Sequence, residues 1–106
     1  MPLSDHAREQ IRGRYVQLHT GDPGPDCTVN PASDTRRMSV TWAEDANAEP
    51  LQWPVYPAAE TITHVSTWDD AEAGNPWLYG PLDAPIPVAA NQLLEIESGK
   101  LRAALG

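Results

Sequence analysis

Prolines and glycines divide this chain into short pieces. Its 106 residues include eleven prolines and seven glycines, spread along most of its length. Proline inside a helix or a central strand removes a backbone donor, so this spacing disfavours long helices and favours short strands joined by turns. A chain of this length fits a single domain, and we expect one domain over residues 1–106.

Strand-forming residues and, in one segment, clean apolar-polar alternation mark the strongest strand predictions. Residues 14–20 and 61–68 are rich in strand formers, and three apolar side chains of residues 36–42 fall on one face. Trp42 and Trp68 lie at the inward ends of alternating strands, so both are predicted to pack in the core. Weaker patterns predict a proline-interrupted edge strand within 43–60 and a strand that starts at 77–79 and is ended or bulged by Gly80-Pro81. A further edge strand or connection is predicted at 83–91. The last predicted element is a hairpin in which residues 92–97 pair with 100–105 around Ser98-Gly99.

One short helix is predicted at the start of the chain, over residues 3–12. Leu3, Ala7 and Ile11 recur at a spacing of four, and Gly13 marks the end. Together these patterns predict a mainly β fold: a small β-sandwich with jelly-roll or immunoglobulin-like packing, and this helix packed on it.

Charge and hydropathy limit the classes of partner that this chain is expected to bind. Fifteen acidic and seven basic residues give a net charge of −8, and the densest basic run is Arg36-Arg37. An acidic surface repels phosphate, so we expect no nucleic-acid partner. No stretch approaches the roughly 18 apolar residues of a transmembrane helix, so we expect no membrane association. The polar first thirteen residues lack an apolar signal core, and we expect synthesis without a signal peptide.

The sequence contains no pattern typical of catalysis or metal binding. No nucleophile-elbow glycine pattern surrounds a serine, and His6, His19 and His64 lack paired metal-ligand spacing. Cys27 is the single cysteine, which excludes an internal disulfide and is typical of a small buried hydrophobe. We therefore expect a non-enzymatic protein without a metal or cofactor. His64 is predicted to be a hydrogen-bonded packing residue.

Aromatic residues next to prolines are the predicted contact residues. Trp53 and Trp77 adjoin prolines and are expected to be partly exposed, because tryptophan and tyrosine are enriched at protein interfaces. With Tyr56 and Tyr79 they form the predicted interface. The alternative for the two tryptophans is a platform that stacks on a glycan.

Two separated motifs resemble a known family. Residues 61–69 (TITHVSTWD) and 74–82 (GNPWLYGPL), preceded by 15–24 (YVQLHTGDPG), are similar to small tailed-phage virion proteins commonly labelled phage tail fibre or minor structural proteins. The order of these segments matches along nearly the whole chain. The centre is proline-rich where the family usually has glycine and serine. The resemblance implies a structural, non-enzymatic role and no catalytic residues.

These observations lead to one main hypothesis and two alternatives. The main hypothesis is a capsid decoration or minor capsid protein on the head exterior, because the chain lacks a coiled or repetitive stalk and its acidity suits a surface facing away from packaged DNA. The alternatives are a minor tail or tail-fibre protein, and a receptor- or glycan-binding module. Expected partners are the major capsid protein or tail proteins, and further copies of the chain, with a trimer as one arrangement. The expected location is the virion, assembled in the host bacterial cytoplasm.

Overall fold

The fold is known from a computed structural model that describes residues 13–43 and 46–101. This part of the chain contains no helix, and its strands are β1 (Tyr15–His19), β2 (Met38–Ser39), β3 (Trp42–Ala43), β4 (Ala46–Asn47), β5 (Leu51–Trp53), β6 (Glu60–Trp68), β7 (Pro76–Val88) and β8 (Leu94–Ile96). The mainly β prediction is confirmed. The predicted helix over 3–12 lies outside the described residues.

An antiparallel sheet with the strand order β2-β1-β6-β7 is the largest sheet. β1 and β6 form its centre and pair without interruption from Tyr15 opposite Trp68 to His19 opposite His64. Both strands coincide with predicted strands, residues 14–20 and 61–68, which are rich in strand-forming residues. The predicted strand over 36–42 is instead two short strands, β2 and β3.

β7 is longer than its sequence predicts. Gly80-Pro81 does not end the strand, and residues 83–88 continue it rather than forming a separate element. Ile62 lies opposite Ile86 and His64 lies opposite Pro81, so two steps along β6 correspond to five along β7. The bulge, one of the two outcomes predicted for Gly80-Pro81, interrupts the ladder locally while the strand continues, and a second register shift lies between Ser66 and Trp68. Because β7 is at the edge of the sheet, a proline whose nitrogen faces away from β6 is compatible with this pairing.

The remaining strands form two-stranded ribbons, β3 with β4 and β5 with β8. β5 is the strand predicted within 43–60, and its partner is near the other end of the chain, with Leu51 opposite Ile96 and Trp53 opposite Leu94. A single apolar cluster joins this ribbon to the large sheet. Its buried members are Val16, Leu18, Ala32, Trp42, Leu51, Trp53, Tyr56, Ile62, Val65, Val88, Leu94, Ile96 and Leu101.

A tight turn follows β8 at the predicted Ser98-Gly99. The amide of Lys100 donates to the carbonyl of Glu97 over 3.1 Å, and Gly99 has a φ of 79°. A positive φ at the third residue is characteristic of a type II turn and favours glycine. The second arm of the predicted hairpin lies largely after residue 101, outside the described residues.

Candidate binding surface

Two of the four aromatic residues predicted at an interface are buried. Trp53 and Tyr56 have an exposed fraction of 0%. The indole N–H of Trp53 donates to the carbonyl of Arg36 over 2.9 Å, and the hydroxyl of Tyr56 donates to the carboxylate of Glu60. The expected partial exposure of Trp53 is wrong, because alternation along β5 turns its ring into the core despite the following proline. Neither side chain is available to a partner of the folded chain.

The other two, Trp77 and Tyr79, are exposed and form what we call the aromatic pair. Their exposed fractions are 45% and 48%, which confirms the expected partial exposure of Trp77. They flank Leu78, which packs against the core and whose amide donates to the Thr67 hydroxyl over 2.9 Å. Two residues of a strand span roughly 7 Å, so the pair occupies a short length of β7. Its role at an interface remains a prediction.

An acidic loop, residues 69–75, precedes the aromatic pair. The carboxylate of Asp69 accepts hydrogen bonds from the backbone amide of Asn75 at 2.8 Å and from its side chain at 3.3 Å. Gly74 has a φ of 77°, and a side chain there would overlap the Asp69 carboxylate. This explains why the motif places glycine before asparagine. The backbone hydrogen bond from Asn75 lowers the pKa of Asp69, and the side chains of Asn75 and Trp77 lower it further.

Arg37 connects this loop to the sheet through side-chain hydrogen bonds. Its Nη1 donates to the carbonyls of Asp70 at 3.2 Å and Ala73 at 2.6 Å. Its Nε donates to the Gln17 side chain at 3.0 Å, and its guanidinium lies 3.7 Å from the centre of the Trp68 ring. The sequence shows Arg37 only as part of a basic run. Its position opposite the Trp68-Asp69 corner depends on pairing between distant strands, which that run does not reveal.

The chain matches the family described as Podophage GP4 fiber I protein gp80 over residues 5–104. It belongs to this family. The resemblance to phage tail fibre and minor structural proteins is therefore confirmed, and a fibre family indicates a location in the virion. The match favours the tail-fibre alternative and gives no support to a capsid decoration role. No curated protein matches the chain.

A buried polar network joins His19 of β1 to Ser66 and Trp68 of β6. His19 and Ser66 have no exposed surface, and the His19 Nε2 lies 2.8 Å from the Ser66 hydroxyl. His19 Nδ1 lies 3.0 Å from the carbonyl of Val29, an acceptor, so we assign the proton to Nδ1. Ser66 then donates to Nε2 and accepts the Trp68 indole N–H at 2.8 Å. A serine hydroxyl beside a histidine base is the arrangement of a catalytic nucleophile, but both side chains are completely buried here and no substrate can reach them.

Burial lowers the pKa of His19, so the imidazole is held neutral in the network. Sequence reasoning missed this residue, because its partners are ten and forty-seven positions away. His64, the histidine predicted to be a hydrogen-bonded packing residue, is half-buried, and its Nδ1 lies 2.8 Å from the Thr63 hydroxyl.

A second polar cluster connects β6 to the loop before β2. The carboxylate of Asp34, which is buried, pairs with Arg36 at 2.5 Å, and Glu60 accepts hydrogen bonds from the amide and hydroxyl of Ser33 at 3.0 and 2.7 Å. Burial alone would raise the pKa of Asp34, but the hydrogen bonds from Arg36 lower it below its usual value. Each carboxylate is thus occupied by partners within the fold.

Cys27 and groupings of metal ligands are the remaining chemical candidates within the described residues. Cys27 is buried, and this burial raises the pKa of its thiol, which keeps it protonated rather than nucleophilic. Within residues 13–43 and 46–101, no three histidine, cysteine, aspartate or glutamate side chains are grouped to hold a metal ion. No helix in those ranges has the length and apolar character needed to cross a membrane.

Proposed function

We propose that this chain is a non-enzymatic structural component of a podophage tail fibre. The observation that carries the proposal is the match to a fibre protein family over residues 5–104. The tail is preferred to the head because the family description is that of a fibre.

In this proposal the aromatic pair, Trp77 and Tyr79, is the contact with a neighbouring virion protein. Large aromatic side chains exposed on a rigid strand give much contact area with little loss of side-chain entropy, which is why they are enriched at interfaces. Trp77 also stands beside an ordered loop rather than on a free chain end. Further copies of the chain, a trimer among the arrangements, are also proposed partners. The net charge of −8 disfavours nucleic acid as a partner.

The ribbon of β5 and β8 is proposed as the second layer of a small β-sandwich. Leu51, Trp53, Leu94 and Ile96 are buried in the same cluster as apolar residues of the large sheet. Two layers that enclose one apolar core are the usual architecture for a β domain of this size. A jelly-roll or immunoglobulin-like strand order remains a prediction.

Localisation on purified particles tests the main proposal. Mass spectrometry of gradient-purified virions should detect the chain, and antibody labelling should mark the tail. Labelling confined to the head would overturn the tail assignment, and absence of the chain from particles would overturn the structural role. In phage carrying Trp77→Ala, we expect less of the chain per particle than in phage carrying Trp77→Tyr, because only alanine removes the exposed aromatic surface.

Glycan binding is the second candidate function, and it rests on the aromatic pair. An exposed indole ring beside carboxylate and amide groups of residues 69–75 offers both a stacking face and hydrogen-bonding groups for a sugar. Trp53 has no part in it, because its ring is buried. A glycan array that compares the wild type with Trp77→Ala tests the idea. Binding lost in the variant would support it, and absence of binding in both would reject it.

A further inference from the structure

The outer edge of β7 has a defined pattern of backbone donors. Pro81 lies opposite His64 and has no N–H, so this must be a non-hydrogen-bonded pair of the antiparallel ladder. Such pairs alternate with hydrogen-bonded ones, so Gly80 bonds to Val65. Tyr79, opposite Ser66, is then again non-hydrogen-bonded. The N–H and C=O of Tyr79 therefore point away from β6, toward the open edge of the sheet.

Prolines occupy the other outward positions of β7 whose register to β6 is defined. Pro87 lies opposite Thr61 and, like Pro81, occupies a position whose nitrogen faces outward. Edge strands of natural proteins use proline in this way to prevent pairing with other chains. Of the registered outward positions of β7, which are Pro76, Tyr79, Pro81 and Pro87, Tyr79 alone keeps its donor. That open position coincides with the exposed aromatic pair, where a docking strand would find both a backbone partner and two rings.

The charge around this position selects the kind of strand that fits. Asp70 and Glu72 are exposed on the adjoining loop, and neither forms a salt bridge within the described residues. A second copy of the chain would bring its own charge of −8 to the contact, which is repulsive. A segment that carries lysine or arginine would gain from the same carboxylates.

We propose that β7 receives, at Tyr79, an extended basic segment of another virion protein, which adds a short strand to the outer edge of the sheet. The partner's identity as a virion protein rests on the proposed function; the strand addition rests on the register of β7. Backbone hydrogen bonds to Tyr79 would supply part of the affinity, and the rings of Trp77 and Tyr79 would supply side-chain selectivity.

Hydrogen exchange compares the free protein with the assembled particle. In the free protein the Tyr79 amide should exchange quickly and the neighbouring Gly80 amide slowly. In purified virions we expect the Tyr79 amide to slow by at least about tenfold. An unchanged Tyr79 rate in particles that contain the chain overturns the strand addition. Particles without the chain overturn the proposed function instead, so the two failures are distinguishable.

Two substitutions at Tyr79 separate the contribution of its backbone N–H from that of its ring. Tyr79→Ala removes the ring and keeps the N–H, whereas Tyr79→Pro removes both and leaves the bonds to β6 untouched. Both should fold, while Gly80→Pro should lower the melting temperature more, because it removes an inward donor. The probe is a short capped peptide that alternates valine with lysine, titrated at low salt into each full-length variant, with a valine-glutamate peptide as control.

The lysine peptide should bind Tyr79→Pro about tenfold or more weakly than Tyr79→Ala, and the glutamate peptide should not bind. Equal affinities of the two variants, equal binding of the two peptides, or no binding of the lysine peptide at millimolar concentration would each overturn the proposal. A wild-type dimer in sedimentation equilibrium that Tyr79→Pro abolishes would overturn it as well, since the occupant would then be a second copy.

Discussion

Replacing Trp68 with alanine tests how strongly the end of β6 is held in the fold. The Trp68 ring is 7% exposed, its indole N–H donates to Ser66, and the Arg37 guanidinium covers its face. Truncation of a buried tryptophan to alanine costs about 3–5 kcal/mol of unfolding free energy. Loss of the hydrogen bond accounts for about 1 kcal/mol of this, and loss of the cation–π contact for about 1 kcal/mol. The remainder is lost apolar burial and the cavity.

Trp68→Phe is the matched control, because it keeps most of the buried ring and removes the indole N–H. The Ser66 hydroxyl would lose one donor but still donate to His19, so no buried donor is left without a partner. We expect a loss of about 1–2 kcal/mol, which combines one hydrogen bond with a small packing defect.

Urea unfolding followed by far-ultraviolet circular dichroism measures both losses by linear extrapolation. Circular dichroism is preferred to fluorescence because three other tryptophans remain in each variant. A loss of unfolding free energy below about 1 kcal/mol in Trp68→Ala would show that the ring contributes little to the core and would refute the predicted contributions of burial, hydrogen bond and cation–π contact. A double-mutant cycle with Arg37→Ala should give a coupling of about 0.5–1 kcal/mol; zero coupling would reject the cation–π contribution.

Three further predictions concern single positions. Because burial lowers the pKa of His19, the unfolded chain binds a proton more readily than the folded one, so stability should fall below pH 6.5, by at most about 1.4 kcal/mol per pH unit. Urea titrations between pH 5 and 7 should show a flatter profile in His19→Gln, and equal slopes would contradict the assignment. Gly74→Ala should cost about 2 kcal/mol from positive φ and overlap with Asp69, whereas Gly80→Ala, with open space and no positive φ, should be near neutral in thermal unfolding. Gly99→Val should also destabilise, by about 1 kcal/mol, through its positive φ alone; unchanged stability would reject the turn.

The central strands could be predicted because their information is local. Residues 61–68 are rich in β-branched side chains, and β6 spans Glu60–Trp68. For β7 the same local rules left two outcomes open at Gly80-Pro81, an end or a bulge, and the structure has a bulge. Local sequence could not decide between them, because a proline with an outward nitrogen is compatible with continued pairing only at the edge of a sheet.

The candidate surface was only half predictable from the sequence. Neighbouring prolines suggested exposure for Trp53 and Trp77 alike, and only Trp77 is exposed. The difference arises from the face that each ring occupies: Trp53 lies with Leu51 on the face of β5 that packs into the apolar cluster, whereas Trp77 is exposed on β7. Which face of a short strand meets the core depends on residues of distant strands. Arg37 and His19 were missed for the same reason, since their roles depend on contacts across the sheet.

The loop of residues 69–75 has a consequence for the speed of docking. Arg37 binds two of its carbonyls, and Asp69 binds both nitrogens of Asn75. A loop already fixed in this way loses little conformational freedom when a partner arrives, so its preorganisation lowers the entropic cost of association. Collisions with the partner would then be productive without a slow rearrangement, and a rapid, salt-sensitive association rate is the expected kinetic result.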